Sequence, residues 1–182
     1  MSSNQRLRPI TSETSAVRKS VPARRSRLGL LTSLALIVLM VDQVTKACAL
    51  SGLEQGVQHP VLGNALGIQL LLNPGAVLGL GSGSTWLLTV IAVAATVLIV
   101  RFSRRLSSTW WTMTLGLLLG GTLGNLIDRL MRDPGFGRGH VIDFIAYGNF
   151  FVGNVADIAI TVAAGLMMIL SYRGVPLDGT QS

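Results

Sequence analysis

The chain has 182 residues, 49% of them apolar and 13% charged, with a formal net charge of +7. That is the length of one domain, and a single cysteine, Cys48, excludes an intrachain disulfide. A soluble domain scatters charge along every helix. Here the charges gather at the N-terminus, at 101–105 and around 128–143, with long uncharged runs between them. This pattern indicates an integral membrane protein. The positive excess sits mostly in the first 27 residues and the Arg101–Arg105 loop, which the positive-inside rule explains without nucleic acid.

Residues 1–27 carry seven basic residues against one acid, Glu13, and show no apolar periodicity. They are expected to form a disordered cytoplasmic tail. Leu28 to Val41 is apolar but short for a span; extended through Leu50 it reaches 23 residues, enough to cross a bilayer. It then includes Asp42 and Lys46, spaced i, i+4 so that they can pair on one helical face. A rival reading takes Arg24, Arg25, Arg27, the apolar run and Ala47-Cys48-Ala49 as a cleavable secretory signal. The two charges between core and cleavage site make it a poor example. Cys48 reads as a small buried apolar residue, since Thr45-Lys46-Ala47 is the wrong approach to a lipobox.

Residues 51–84 are punctuated by Gly and Pro. A non-helical excursion at the outer membrane surface is expected, with a short strand over 68–72. Within it, Asn73-Pro74-Gly75-Ala76 sets an amide beside a turn and small residues, allowing close backbone approach to a ligand. A second span covers 86–100, with Gly79–Thr85 contributing to its length; Trp86 suits the outer interface, and Arg101, Arg104 and Arg105 stop it on the cytoplasmic side. The third, 107–127, is uncharged throughout and is the clearest span, with Trp110 and Trp111 belting its inner end. Gly116, Gly120 and Gly124 recur every four residues and leave one face smooth for a second helix. Gly121, Asn125, Asp128 and Arg129 follow beside it. Residues 131–140 form a loop with a turn at Asp133-Pro134-Gly135. Asp143, an aromatic patch (Phe144, Tyr147, Phe150, Phe151) and a fourth span over about 152–172 complete the core, with Asn154 and Asp157 facing one way on its entry turn. The domain organisation is a tail at 1–27, a four-helix transmembrane domain at 28–172 and a cytoplasmic C-terminal tail at 173–182.

Four spans put both termini on one side. Eleven basic residues then fall on that side and four on the other, which orients the termini to the cytoplasm. Asp42, Lys46, Asn73, Asn125, Asp128, Arg129, Asp143, Asn154 and Asp157 all converge at the outer face. Asp143 and Asp157, fourteen positions apart, stand in very apolar company, and an acid in such a place is a functional hypothesis by default. Two carboxylates without metal ligands or a Ser/His pair point to acid–base work, one ionised to deprotonate water and one protonated to polarise a carbonyl. His140 reads as a loop residue. A proton- or ion-coupled transporter is the alternative, but a relay distributes its acids through the membrane depth; a structural subunit is a further rival.

Five blocks in order, Asp42-Gln43-x-Thr45-Lys46, Asn73-x-Gly75-Ala76, Gly120-Gly121-x-x-Gly124-Asn125-x-x-Asp128-Arg129, Val141-Ile142-Asp143-Phe144 and Asn154-Val155-Ala156-Asp157, resemble lipoprotein signal peptidase (signal peptidase II) from residue 28 to about 172. The resemblance implies an all-α membrane fold of four transmembrane helices with a small β-like excursion between the first two. It also implies an intramembrane aspartyl endopeptidase of the bacterial cell membrane. Such an enzyme removes signal peptides from prolipoproteins before the diacylglyceryl-modified cysteine. The catalytic pair then falls on Asp143 and Asp157. Asp42, Lys46, Asn73, Gly75, Gly121, Asn125, Asp128, Arg129, Asn154 and Ala156 fall on positions that support the site or bind substrate. No metal or cofactor is implied; membrane lipid is an expected partner, and the enzyme is expected to act as a monomer. The glycine face would leave room for a lipid chain or a signal helix, an Asp128–Arg129 cluster would brace the spans, and the first span would be retained. Leu78, where the family often has Phe, and Gly153, where it has an aromatic, depart from the pattern near the substrate groove.

Overall fold

The computed structural model describes residues 24–75 and 85–177. The tail up to residue 23, the segment 76–84 with Ala76 and Leu78, and residues 178–182 lie outside the described residues. Helix α1 spans Arg24–Gly52, α2 Thr85–Ser103, α3 Thr109–Met131 and α4 Val155–Tyr172. Between α1 and α2 lie strands β1, Gln58–Leu62, and β2, Leu66–Asn73; between α3 and α4 lie β3, Val141–Tyr147, and β4, Phe151–Gly153.

Helix α3 packs against α1, α2 and α4, and its glycines explain how. A Cβ on Gly120 would meet the Ala35 carbonyl oxygen at 2.7 Å, and one on Gly121 would meet that of Ala156 at 2.6 Å. Two successive glycines thus seat two different helices at backbone contact. The expected smooth face is real, but it leaves no room for a lipid chain or signal helix. Leu31, Leu34, Ala35, Val38 and Asp42 of α1 already fill it.

Helices α1, α2 and α4 are long and apolar enough to cross a membrane. Helix α3, expected as the clearest span, is not among them: its glycines and threonines dilute its apolarity. It also buries more of its surface inside the protein than α2 or α4 does, so less of it needs to match lipid. Trp111 corrects a second expectation. Instead of belting the interface it lies in the core with Leu31, Ile99 and Leu170, its indole Nε1 donating to the Val175 carbonyl at 2.9 Å. Trp110 is exposed.

The four strands form one antiparallel sheet in the order β1-β2-β3-β4. The expected strand over 68–72 is the middle of β2. The sheet is larger than the excursion between the first two helices, because β3 and β4 come from the segment read as a loop and aromatic patch. Strand β3 is largely buried along its length, so apart from Asp143 its sequence is apolar on both faces, without the period-two alternation that marks a strand. Its register matters for function: Asp143 lies opposite Leu71, and Val141 opposite Asn73.

Candidate active site

Lys46 of α1 is fully buried and uses all three ammonium protons. Nζ lies 2.8 Å from Asp42 Oδ2 and 2.7 Å from Asp128 Oδ2, and donates to Asn125 Oδ1 at 3.0 Å. Arg132 Nε donates to Asp128 Oδ1 at 2.6 Å, so two acids face two bases and the buried group is neutral overall. An ammonium has three donors and no acceptor, and a buried charge is tolerated only when so compensated. Both carboxylates also hold backbone. The Ala156 N–H, in the first turn of α4, donates to Asp42 Oδ1 at 2.9 Å; the Ile142 N–H on β3 donates to Asp128 Oδ2 at 3.2 Å. The network therefore fixes the two elements that carry Asp143 and Asp157.

Those two aspartates are held differently. Asp143 accepts from Asn73 Nδ2 at 2.7 Å and from Asn154 Nδ2 at 2.6 Å. Asp157 accepts from Asn125 Nδ2 at 2.8 Å and from the Asn154 backbone N–H at 3.2 Å. Asn154 is the N-cap of α4, its side-chain oxygen accepting the Asp157 N–H at 2.9 Å. The reciprocal capping box that starts the helix is thus also what brings Asp157 to Asn154, and Asn154 touches both acids. Asn125 Oδ1 accepts from both Lys46 and Asn154, so the ammonium reaches Asp157 only through an amide.

Asn73, Gly75, Leu88, Asn125, Arg129, Val141, Asp143, Phe151, Val152 and Asp157 line one cavity of about 290 Å3. Gly75 has a φ of 114°, and a Cβ there would collide with Leu88, so this wall requires glycine. Arg129 contributes a buried Nη1 with no hydrogen-bond partner among the described residues. Burial pushes the Asp143 carboxyl up to about 7. The Asn73 bond opposes that rise, the Asp157 charge adds to it, and the Asn154 bond and the Lys46 charge oppose it. Phe151 and Asp157 also line a second cavity with Tyr147, Ile158, Thr161 and Val162 along α4.

Of the residues singled out from sequence, Asp42, Lys46, Asn73, Gly75, Asn125, Asp128, Arg129, Asp143, Asn154, Ala156 and Asp157 meet here, and Gly121 packs against the Ala156 turn that carries Asp157. Asp128 and Arg129 separate in role, because Asp128 enters the ionic network whereas Arg129 faces the cavity. His140 is a loop residue, lining a different cavity with Arg132 and Asp133. A Cβ on Gly153 would lie 3.1 Å from Asp157 Oδ2, and Phe151, two positions earlier, supplies an aromatic wall. Three contributors were assigned no role from the sequence. Arg132 is i, i+4 from Asp128, a spacing that signals it. Gln43, inside the first motif, donates to the Gly124 carbonyl at 3.1 Å and to Asp42 Oδ2 at 3.2 Å. Thr85 anchors the Asn73 turn by donating to the Pro74 carbonyl at 2.7 Å, and nothing in the sequence marks it.

A family match spans the elements that carry these residues. The family model for signal peptidase (SPase) II matches residues 34–173. The lipoprotein signal peptidase of Leifsonia xyli subsp. xyli is 46% identical over 153 residues, covering 84% of this chain and 71% of that protein. That of Rhodococcus jostii is 42% identical over 160 residues, covering 88% and 81%. A bacterial membrane enzyme solved by the in meso method at 2.3 Å superposes with a TM-score of 0.72 at 26% identity, covering 85% of this chain and 94% of that one. A second, at 1.9 Å, gives 0.70 at 28% identity, covering 79% and 93%. With the family match running from α1 through α4 and relatives alike over most of their length, the chain belongs to the signal peptidase II family.

Proposed function

We propose that Asp143 and Asp157 are the catalytic pair with which this enzyme cuts prolipoproteins before the diacylglyceryl-modified cysteine. As a signal peptidase II, an aspartic protease, it removes the signal peptides of lipoproteins. The observation that carries the dyad is that both carboxylates line one cavity and neither is in an ion pair among the described residues.

The environments divide the labour. Asp157 lies in the first turn of α4, where the helix dipole favours an anion, and its amide partner is polarised by Lys46. Asp143, with its carboxyl pushed up to about 7, holds its proton below neutral pH and is the proton carrier of the pair. Ionised Asp157 takes a proton from a water as its oxygen attacks the scissile carbonyl carbon, while Asp143 donates its proton to the carbonyl oxygen. Collapse returns that proton to Asp143 as the C–N bond breaks, and the leaving nitrogen takes the proton from Asp157. The unpartnered Arg129 Nη1 and the turn at Gly75 are suited to hold substrate backbone carbonyls and the chain around the cut. The second cavity, running along α4 from Asp157 to the exposed Ile158 and Val162, suits approach from the lipid side.

The apolar helices and the membrane-enzyme neighbours make this a membrane-embedded protein. The finer reading adds α3 as a fourth span in a domain over 28–172, both termini in the cytoplasm, the aspartates near the outer face, and a monomer working on lipid-modified substrates. It is supported by Arg25, Arg27, Arg101, Arg104, Arg105 and Arg173 sitting at the opposite end of the bundle from the aspartates. Purified enzyme with a diacylglyceryl-modified precursor peptide and a chelator tests the dyad. Asp143→Asn and Asp157→Asn are each expected to lower the cleavage rate about 10^3-fold or more. Near-parental cutting by either folded variant removes that residue from the mechanism.

A further inference from the structure

The end of the bundle away from the aspartates holds a cavity of about 480 Å3 lined by Thr96, Val97, Val100, Arg101, Arg104 and Arg105. That this is one end is fixed by contacts. Arg27 Nη1 at the start of α1 donates to the Leu106 carbonyl between α2 and α3, and the Ser107 N–H donates to the Leu177 carbonyl beyond α4. Arg101, Arg104 and Arg105 are exposed. None of them has a carboxylate partner among the described residues, whose acids (Asp42, Glu54, Asp128, Asp133, Asp143, Asp157) belong to the other end.

Above the arginines, one face of α2 carries Val90, Val93, Val97 and Val100, each between 41% and 60% exposed. Their spacing keeps them on a single stripe. At 1.5 Å per residue the stripe runs ~15 Å, about half the hydrocarbon thickness of a bilayer. This matches the depth reached by one acyl chain of one leaflet. Guanidinium groups bind phosphate oxygens in a planar fork. We propose that this cavity is a binding site for one anionic phospholipid, with the headgroup phosphate on Arg101, Arg104 and Arg105 and an acyl chain along the valine stripe. Three cations without a carboxylate partner among the described residues, at the foot of an exposed apolar stripe of chain length, complement such a lipid in both charge and shape. A soluble anion lacks the chain, and a zwitterionic lipid lacks the net charge.

Native mass spectrometry of the purified full chain in detergent, titrated with dioleoyl phosphatidylglycerol or the phosphatidylcholine analogue, tests this. Cleavage of a precursor peptide in detergent reports that each variant is folded. The parent is expected to retain one phosphatidylglycerol and to prefer it at least tenfold over phosphatidylcholine. Arg101→Gln/Arg104→Gln/Arg105→Gln loses that preference, whereas Arg24→Gln/Arg25→Gln/Arg173→Gln, which removes the same charge at the same end, keeps it within about twofold. Val97→Trp, which fills the cavity with all arginines intact, weakens retention at least fivefold. Equal loss from the two triple variants would make the attraction diffuse and overturn the site. So would parental retention by Val97→Trp, or displacement of the lipid by millimolar inorganic phosphate, which would reduce it to a simple anion patch.

Discussion

Leaving aside the exposed Asp133, the four aspartates at one end of this bundle divide into two pairs by what holds them. Asp42 and Asp128 both accept from the buried Lys46 ammonium, and Asp128 from Arg132 as well. Asp143 and Asp157 accept from asparagine amides and a backbone N–H. An ammonium at 2.7–2.8 Å fixes its acceptor as an anion, because protonating that carboxyl would leave a buried cation uncompensated. A neutral amide bonds a carboxyl oxygen in either protonation state. The first pair is locked as charge and serves as scaffold; the second is positioned as firmly and stays free to exchange a proton. One residue type thus yields structure or chemistry according to whether its donor is charged.

Lys46→Met puts that distinction under the heaviest load. It leaves two buried carboxylates facing each other, and removing one partner of such a group costs about 3–5 kcal/mol. Thermal unfolding in detergent is expected to show the loss, with little folded protein recovered. A small deficit would mean that Asp42 and Asp128 do not depend on the buried ammonium, and the contrast between the two pairs would collapse.

A smaller effect tests the other pair. With Asp143 pushed up to about 7 and acting as the proton carrier, kcat/KM is expected to fall as pH rises through that value. The Asn73 bond favours the charged form. Asn73→Leu removes it at similar volume, so the carboxyl rises further and the alkaline limb moves to higher pH. A hydrogen bond to a charged group contributes about 1.5 kcal/mol or more, equivalent to a shift of about one unit. Measuring kcat/KM from pH 5 to about 9 on the modified precursor peptide checks both position and sign; a limb that stays put or moves down would detach Asn73 from the titrating group.

The sequence disclosed these parts unevenly, and for physical reasons. Helices betray themselves through apolar length, and Asp42, Lys46, Asn125 and Asp128 through charges and amides inside apolar runs, where solvation is expensive. Strand β3 stayed hidden because burial erased its alternation, so Asp143 was recognised without the element that carries it. The role of Gly120 and Gly121 was half legible: small residues announced close packing, but only the three-dimensional structure shows that α1 and α4 already occupy the space. Trp111 was misread because a tryptophan near a helix end serves an interface or a core equally well, and the Val175 carbonyl that decides it lies 64 positions away. The separation of Asp128 from its neighbour Arg129 is likewise tertiary, since one helical step turns one toward Lys46 and the other toward the cavity.

Arg132 sets the lower limit of the contrast. Its Nε bonds Asp128 Oδ1 at 2.6 Å, but its side chain is 26% exposed, so water and salt share in compensating that oxygen. Lys46 and the Ile142 N–H remain on Oδ2 when it is removed. Arg132→Gln is therefore expected to cost about 1 kcal/mol or less, a few degrees in thermal unfolding, with KM unchanged and the alkaline limb of the pH profile where the parent has it. The difference follows from position: losing a cation at the edge of the network leaves Asp128 anchored, whereas losing the one at its centre leaves Asp42 with no cation and Asp128 with only the partly exposed Arg132. If Arg132→Gln instead approached the damage of Lys46→Met, the anchoring of β3 would depend on the outer cation. Asp143 would then owe its place to the loop that follows α3 rather than to the buried lysine.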